Sequence, residues 1–311
     1  MRKQRRSAEP VQHLPLVVVS DAHLGMRGAG AELLLEFLQH TRCDTLILNG
    51  DIIDGERIKR GTRDLPETHI RVLDEINKKI GQDGTRVVYI PGNHDIDVRK
   101  PEWHGIKLLG IEVHREYAFD APDGRKLLMT HGDIAEKGSD ADINWPRWFR
   151  HLAEDVGVGL ISLSKVFDRA ARCVGMKGPR IFAHLHRWTE TVSGTKKAFE
   201  KAARKHALDG GFDGIVCGHT HFAELKTHKD GFMYANSGDW VESFTALSMN
   251  AQGQWAQIDW LKQRRQLGLK GPVDCDIAKK YRHKTRRVLQ AFRRLWPTLP
   301  RLKRHKPKPR H

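Results

Sequence analysis

The sequence predicts an α/β layered domain. Short apolar runs of strand length alternate with amphipathic helical stretches, each run ends in a polar loop, and those loops carry carboxylates and imidazoles. LVVVS ends at Asp21, TLILNG at Asp51 and RVVYIPG at Asn93; all three are rich in β-branched residues. Between them, AELLLEFLQH and ETHIRVLDEINKKI place apolar residues at helical spacing. KLLMTHGD (126–133) and DGIVCGHTH (213–221) repeat the device, each an apolar strand delivering histidines at its end. In 139–208, Trp145, Trp148, Phe149, Leu152, Val156, Leu160, Leu163, Phe167, Ala170 and Val174 recur at helical spacing, and KKAFEKAARKHAL follows. This segment reads as a helical insertion sitting over the site. FMYANSGDW, FTALSMN and QWAQIDW read as closing antiparallel strands.

The net charge of +16 is unevenly placed. Residues 261–311 hold eighteen Lys and Arg against Asp274 and Asp276, and residues 1–14 hold four basic groups and Glu9. The body, 15–260, is therefore close to neutral. That distribution argues for tethering by the ends rather than for a nucleic-acid substrate. The expected organisation is a basic tail (1–14), a catalytic body (15–260) and a basic C-terminal tail (261–311), partly helical, whose Pro- and Lys/Arg-rich end lacks the composition to fold. Four scattered cysteines without a CxxC pair favour a reducing compartment. No run approaches the roughly 18 apolar residues of a membrane span, so a cytoplasmic location is expected.

Five motifs carry the chemistry: Asp21-Ala-His23, Gly50-Asp51-Ile-Ile-Asp54, Gly92-Asn93-His94-Asp95, Thr130-His131-Gly132-Asp133 and Gly218-His219-Thr220-His221. At a strand end, residues two apart point to the same side, which pairs Asp21 with His23 and His219 with His221. Imidazole, carboxylate and carboxamide together make a mixed N/O set suited to Mn, Fe or Zn. Two cations need a bridging anion, and Asp51, central in the order, is the natural bridge. His184-Leu-His186 has the same spacing but lies in a helical stretch, where it splays the side chains apart, so it reads as surface or core packing.

These motifs resemble those of the calcineurin-like metallophosphoesterase family, whose fold is a four-layer α-β-β-α sandwich of two mixed sheets. The resemblance spans roughly residues 15–260. It implies two divalent metal ions, most readily Mn, with Asp21, His23, Asp51 and His221 on one and Asp51, Asn93, His131 and His219 on the other. It further implies attack on phosphorus by a metal-bridging hydroxide, with His94 near the reacting centre and Asp54 orienting it.

Within that family, the helical insertion and KKAFEKAARKHALDGGFDGIVCGHTH resemble the branch around UDP-2,3-diacylglucosamine hydrolase. By that analogy the insertion caps the site over acyl chains, and Asn93, Lys196, Lys197 and Lys201 meet the substrate. His94 departs from that branch, which carries Arg after the Asn. In IAKKYRHKTRRVLQAFRRLW, Tyr281, Thr285, Val288, Phe292 and Leu295 share one helical face among basic residues, which fits peripheral attachment to an anionic membrane surface. The competing readings are a soluble nucleotide phosphodiesterase or phosphatase, a nuclease, and a non-catalytic metal-binding scaffold. Scaffolds of this kind lose ligands, and here none is missing.

Overall fold

The computed structural model describes residues 12–26, 29–55, 65–96, 98–133 and 195–269. The cap region 139–194 with His184 and His186, the residues before Gln12 and those beyond Leu269 lie outside this set, as do Cys173 and Cys275. Strand β1 (Gln12–Val19) leads to α1 (Ala31–Gln39), β2 (Thr41–Leu48), α2 (Glu67–Gly81) and β3 (Arg86–Tyr89). The short strands β4 (Lys107–Leu108), β5 (Ile111–Val113), β6 (Tyr117–Asp120) and β7 (Lys126–Met129) follow. Helix α3 (Thr195–Asp209) precedes β8 (Gly214–Cys217), β9 (Glu224–Thr227), β10 (Met233–Asn236), β11 (Thr245–Met249), β12 (Trp255–Asp259) and α4 (Trp260–Gln266).

Two mixed sheets result. The first has the order β12-β11-β1-β2-β3-β5-β4 and the second β6-β7-β8-β10-β9. In the first, β1, β2, β3 and β5 run parallel; in the second, β7, β8 and β10 do. Period-2 alternation explains how the sheets stack. The register aligns Leu247, Val18, Ile47 and Val88 in one row, and Met129, Val216 and Ala235 in another. Both rows belong to one buried cluster. The neighbouring row Leu128, Ile215 and Tyr234 faces the other way and packs under Phe199, Ala203 and Ala207 of α3. On the first sheet, α1 buries Leu33, Leu34, Phe37 and Leu38, and α2 buries Val72 and Ile76. The four layers are therefore α1/α2, sheet, sheet and α3, as the α/β reading expects.

Several local expectations change. β10 is not simply an antiparallel closing strand: it runs parallel to β8 and antiparallel to β9, because α3 and β8 supply a crossover unit ahead of it. Residues 195–208, assigned above to the insertion, form the outer helix of the second sheet, since their apolar residues at 199, 203 and 207 make one buried stripe. β1 takes in residues 12–14. The body also continues past residue 260: α4 is capped by Asp259, buries Trp260 and Leu261, and pairs Arg264 with Glu36 at 2.7 Å. Among the described residues, no helix is long and apolar enough to cross a membrane.

Candidate metal centre

All the chemically active loops follow the C-terminal ends of parallel strands. Those after β1, β2 and β3 come from the first sheet, and those after β7 and β8 from the second. Backbone bonds lock them together: Asp21 N–H donates to Gly50 O, His23 N–H to Asp51 O and Gly218 N–H to His131 O. Across the sheets, Asn49 Nδ2 donates to Val216 O at 3.2 Å, and His131 Nδ1 lies 3.0 Å from Asn49 O.

The strand-end argument for paired side chains is corrected here. β1 stops at Val19 and β8 at Cys217, so neither pair sits on a strand. Instead, Asp21, His23, Asp51, His219 and His221 all take left-handed backbone conformations, with φ between 46° and 67°. Each costs on the order of 1–2 kcal/mol for a residue with a Cβ. Five such residues in one site mark a backbone held for function, and the turn they make is what aims each pair inward.

The side chains converge. His221 Nε2 is 3.2 Å from Asp21 Oδ1 and 3.4 Å from His23 Nε2. Asp51 Oδ2 is 3.2 Å from His131 Nε2 and 3.9 Å from His23 Nε2. The ring of His219 meets that of His131 edge-on, with centroids 5.1 Å apart. Asp21, His23 and His221 thus form one metal-competent group, and Asp51, His131 and His219 another. Donors about 2.1 Å from one first-row cation sit roughly 3.0–3.4 Å apart, which the shorter separations match. Among the described residues, buried Asn93 Oδ1 has no hydrogen-bond partner, as an atom reserved for a cation would. The residues fit two divalent ions.

Electrostatics agree with the donor set. Asp21, Asp51, Asp54 and Asp95 are 0–3 % exposed, and an uncompensated buried carboxylate costs several kcal/mol. Burial pushes the His131 and His221 imidazolium forms down, but Asp51 and Asp21 outweigh it and raise the two groups to about 10 and about 9. Burial works to raise Asp51, yet His131 beside it holds it well below the ordinary value. His23 is driven by burial down to about 4 despite Asp51, which leaves a neutral imidazole. The site demands positive charge, and a cation meets the same demand.

Two glycines are required by contact. A Cβ on Gly50, itself at φ +85°, would fall 2.2 Å from His131 Nδ1, and one on Gly92 would fall 2.2 Å from Asp51 Oδ1.

Residues 14–223 match the family model described as calcineurin-like phosphoesterase. The chain belongs to the calcineurin-like phosphoesterase family. As a member, it is a metal-dependent phosphoester hydrolase. Solved structures similar to this family member include an archaeal phosphodiesterase, 13 % identical over 78 % of this chain and 98 % of that one, with a TM-score of 0.37. A dimetal phosphatase from Danio rerio is 14 % identical over 79 % of this chain and 98 % of that one, with a TM-score of 0.36. A phosphoesterase from E. coli is 15 % identical over 78 % and 98 %, with a TM-score of 0.34. No curated protein matches the chain.

The remaining expected residues of this calcineurin-like phosphoesterase divide. His94 is half-buried beside His23, with ring centroids 4.9 Å apart, and its N–H donates to Asp51 Oδ1 at 2.7 Å. Asp54 points one oxygen toward His94 Nδ1 (3.7 Å) and the other toward His23 Nδ1 (3.9 Å), so it faces both imidazoles. Lys196 stands over the Phe222 ring, next in sequence to His221, and pairs with Glu224 at 3.0 Å. Lys197 and Lys201 are exposed, outside the stripe that α3 buries.

Sequence reasoning missed the supports. Asp95 accepts from Ile53 N–H (2.8 Å) and Gly92 N–H (2.9 Å), tying the loops after β2 and β3 together. Burial, with Asp51 nearby, lifts its carboxyl to about 6. Asn236 Nδ2 donates to Gly218 O (2.7 Å) and Thr220 Oγ1 (3.1 Å), pinning the loop that carries His219 and His221. Asp95's place in GNHD was a usable signal. Asn236, at a strand end far along the chain, offered none.

Proposed function

We propose that the chain hydrolyses a phosphodiester or pyrophosphate at a centre of two divalent cations. Asp21, His23, Asp51 and His221 would hold one, and Asp51, Asn93, His131 and His219 the other. The observation that supports this most is the position of Asp51 Oδ2 between His23 and His131, where one carboxylate serves both groups. When bound, the cations neutralise phosphoryl oxygens and lower the pKa of water at the site. The chain's own work is orientation and proton delivery. Asn93 presents its carboxamide oxygen to the centre, and His94 donates a proton to the departing oxygen. Asp54, facing His94, favours the charged imidazole and sets its orientation. Manganese is the proposed metal, and iron and zinc suit the same donors.

For the substrate, we infer a pyrophosphate-linked nucleotide lipid of the UDP-2,3-diacylglucosamine type. The support is the resemblance of residues 196–221, together with the basic end that suits an anionic membrane surface. The test is UMP release from UDP-2,3-diacylglucosamine by Mn-loaded protein in detergent, with Asp51→Ala as control. Release that disappears in the variant supports both parts. Cleavage of bis(p-nitrophenyl) phosphate without UMP release keeps the metal reading and discards the lipid. Cleavage of neither, with Mn, Fe or Zn supplied, discards the hydrolase mechanism proposed here.

A further inference from the structure

Beside the metal centre, two arginines from separate segments meet on one carboxylate. Arg99 lies five residues after His94, in the turn that continues the loop after β3, and its N–H is bonded to Asp95 O at 3.1 Å. Arg115 lies between β5 and β6. Arg99 Nη2 donates to Asp133 Oδ2, and Arg115 Nη2 lies 3.4 Å from the same oxygen. Asp133 is two residues from His131, which keeps the two Cα atoms within about 7 Å of each other. Both ends are anchored to the site: Arg99 through Asp95, which holds the loops after β2 and β3, and Asp133 through His131.

The cluster is not a closed ion pair. Each guanidinium carries five N–H donors, and each spends one on Asp133. The two side chains are 24 % and 30 % exposed, so their unspent donors can be reached from solvent. Asp133 is 5 % exposed, and its buried Oδ1 has no hydrogen-bond partner among the described residues. Two cations against one carboxylate leave a net positive charge. Arg86, by contrast, spends two donors on Glu112 bidentately, through Nε (3.1 Å) and Nη2 (2.6 Å).

We propose that Arg99 and Arg115, spaced by Asp133, form an anion subsite that takes a second phosphate of the substrate while the first lies at the metal centre. This rests on the hydrolase reading above and deepens it: the preferred substrates are pyrophosphate-linked, and monoesters and simple diesters leave the subsite empty. Planar guanidinium donors suit phosphate oxygens, and a charge-assisted pair of this kind makes a contact that a one-phosphate ligand cannot make.

The test compares binding of ADP and AMP to the full-length, Mn-loaded protein by calorimetry, for the wild type and for Arg115→Gln and Arg99→Gln. The wild type should bind ADP at least tenfold more tightly than AMP, and each substitution should cut that ratio by about tenfold. A wild-type ratio near one overturns the proposal, as does a ratio that neither substitution changes. Thermal melts check folding, and if Arg99→Gln melts early, Arg115→Gln decides. Failure of the hydrolase reading is visible separately, as absence of bis(p-nitrophenyl) phosphate turnover by the wild type. An arginine-dependent ADP preference in such an inactive protein would keep the subsite and remove the metal mechanism.

Discussion

Asp51 Oδ2 sits 3.2 Å from His131 Nε2 and thereby joins the two sheets at their C-terminal edges, since Asp51 follows β2 and His131 follows β7. Asn49, two residues before Asp51, accepts the other nitrogen of the same imidazole at 3.0 Å and fixes the ring between them. Replacing Asp51 therefore removes the shared anion and the partner that aims His131. Asp51→Asn should lower hydrolysis of bis(p-nitrophenyl) phosphate by at least about 10³-fold, and metal per chain, read by inductively coupled plasma mass spectrometry, should fall with it. Full metal content with full activity would show that Asp51 is not the bridge.

Gly92→Ala tests how closely the backbone approaches Asp51. The added methyl would lie 2.2 Å from Asp51 Oδ1 and 2.6 Å from its backbone nitrogen, and a backbone atom cannot move aside cheaply. Overpacking of this kind costs about 1–3 kcal/mol. The variant should melt several degrees lower and lose most of its activity, whereas Gly84→Ala, where no atom lies within 4 Å, should lose only stability through its φ of +70°. Equal activity in the two variants would remove the contact argument.

Asn236→Asp keeps size but replaces the donor that holds Gly218 O and Thr220 Oγ1. His219 and His221 then lose the staple that maintains their left-handed turn. Metal affinity should drop about 10–100-fold, measured by competition with a chelating dye. Asn236→Ala should do the same, with a further loss of stability. Unchanged affinity in both would show that the loop holds itself.

Metal loading should release protons. Without a cation, His131 and His221 titrate at about 10 and about 9, raised above the usual imidazole value by Asp51 and Asp21 against the effect of burial. A cation needs both imidazoles neutral. At pH 7.5, calorimetry in buffers of different ionisation enthalpy should show about two protons released per chain, and affinity should weaken as pH falls. For the metal-free protein the sign runs the other way. These raised histidines contribute stability fully present below the unfolded imidazole value and lost as pH rises through about 9 to 10, so its melting temperature should fall over that window. Uptake of protons on metal binding would contradict this charge arrangement.

Cys43 and Cys217 should resist alkylation. Burial pushes the Cys43 thiol up to about 12, despite Lys79 nearby, and raises Cys217 further. Neither offers thiolate at pH 8. Peptide mapping after iodoacetamide should find both unmodified in the native protein and both modified after denaturation. Native labelling at Cys217 would mean that the second sheet opens readily.

Alternating apolar runs and helical spacing determined the elements around the site. β1, α1, β2, α2, β3, β7 and β8 were all legible, because each carries its own period and ends in a polar loop. The five motifs named the site residues for the same local reason. β4 to β6 and β9 were not legible: none is a continuous apolar run like those of β3, β7 and β8, since YAFD and ELKT are only partly buried and KL and IEV are two or three residues long, and they exist through pairing to neighbours. The direction of β10 depends on the crossover through α3, which the residues of β10 do not encode.

Chemistry carried by residue type, then, is written in the sequence: imidazole, carboxylate and carboxamide at the ends of apolar strands. The left-handed turns at Asp21, His23, Asp51, His219 and His221, the staples from Asn49 and Asn236, and the meeting of Arg99 and Arg115 on Asp133 were decided only by tertiary structure. The reason is physical. A strained backbone or a shared carboxylate is stable only when distant segments supply the bonds that hold it, and nothing local to those residues records which segments will arrive.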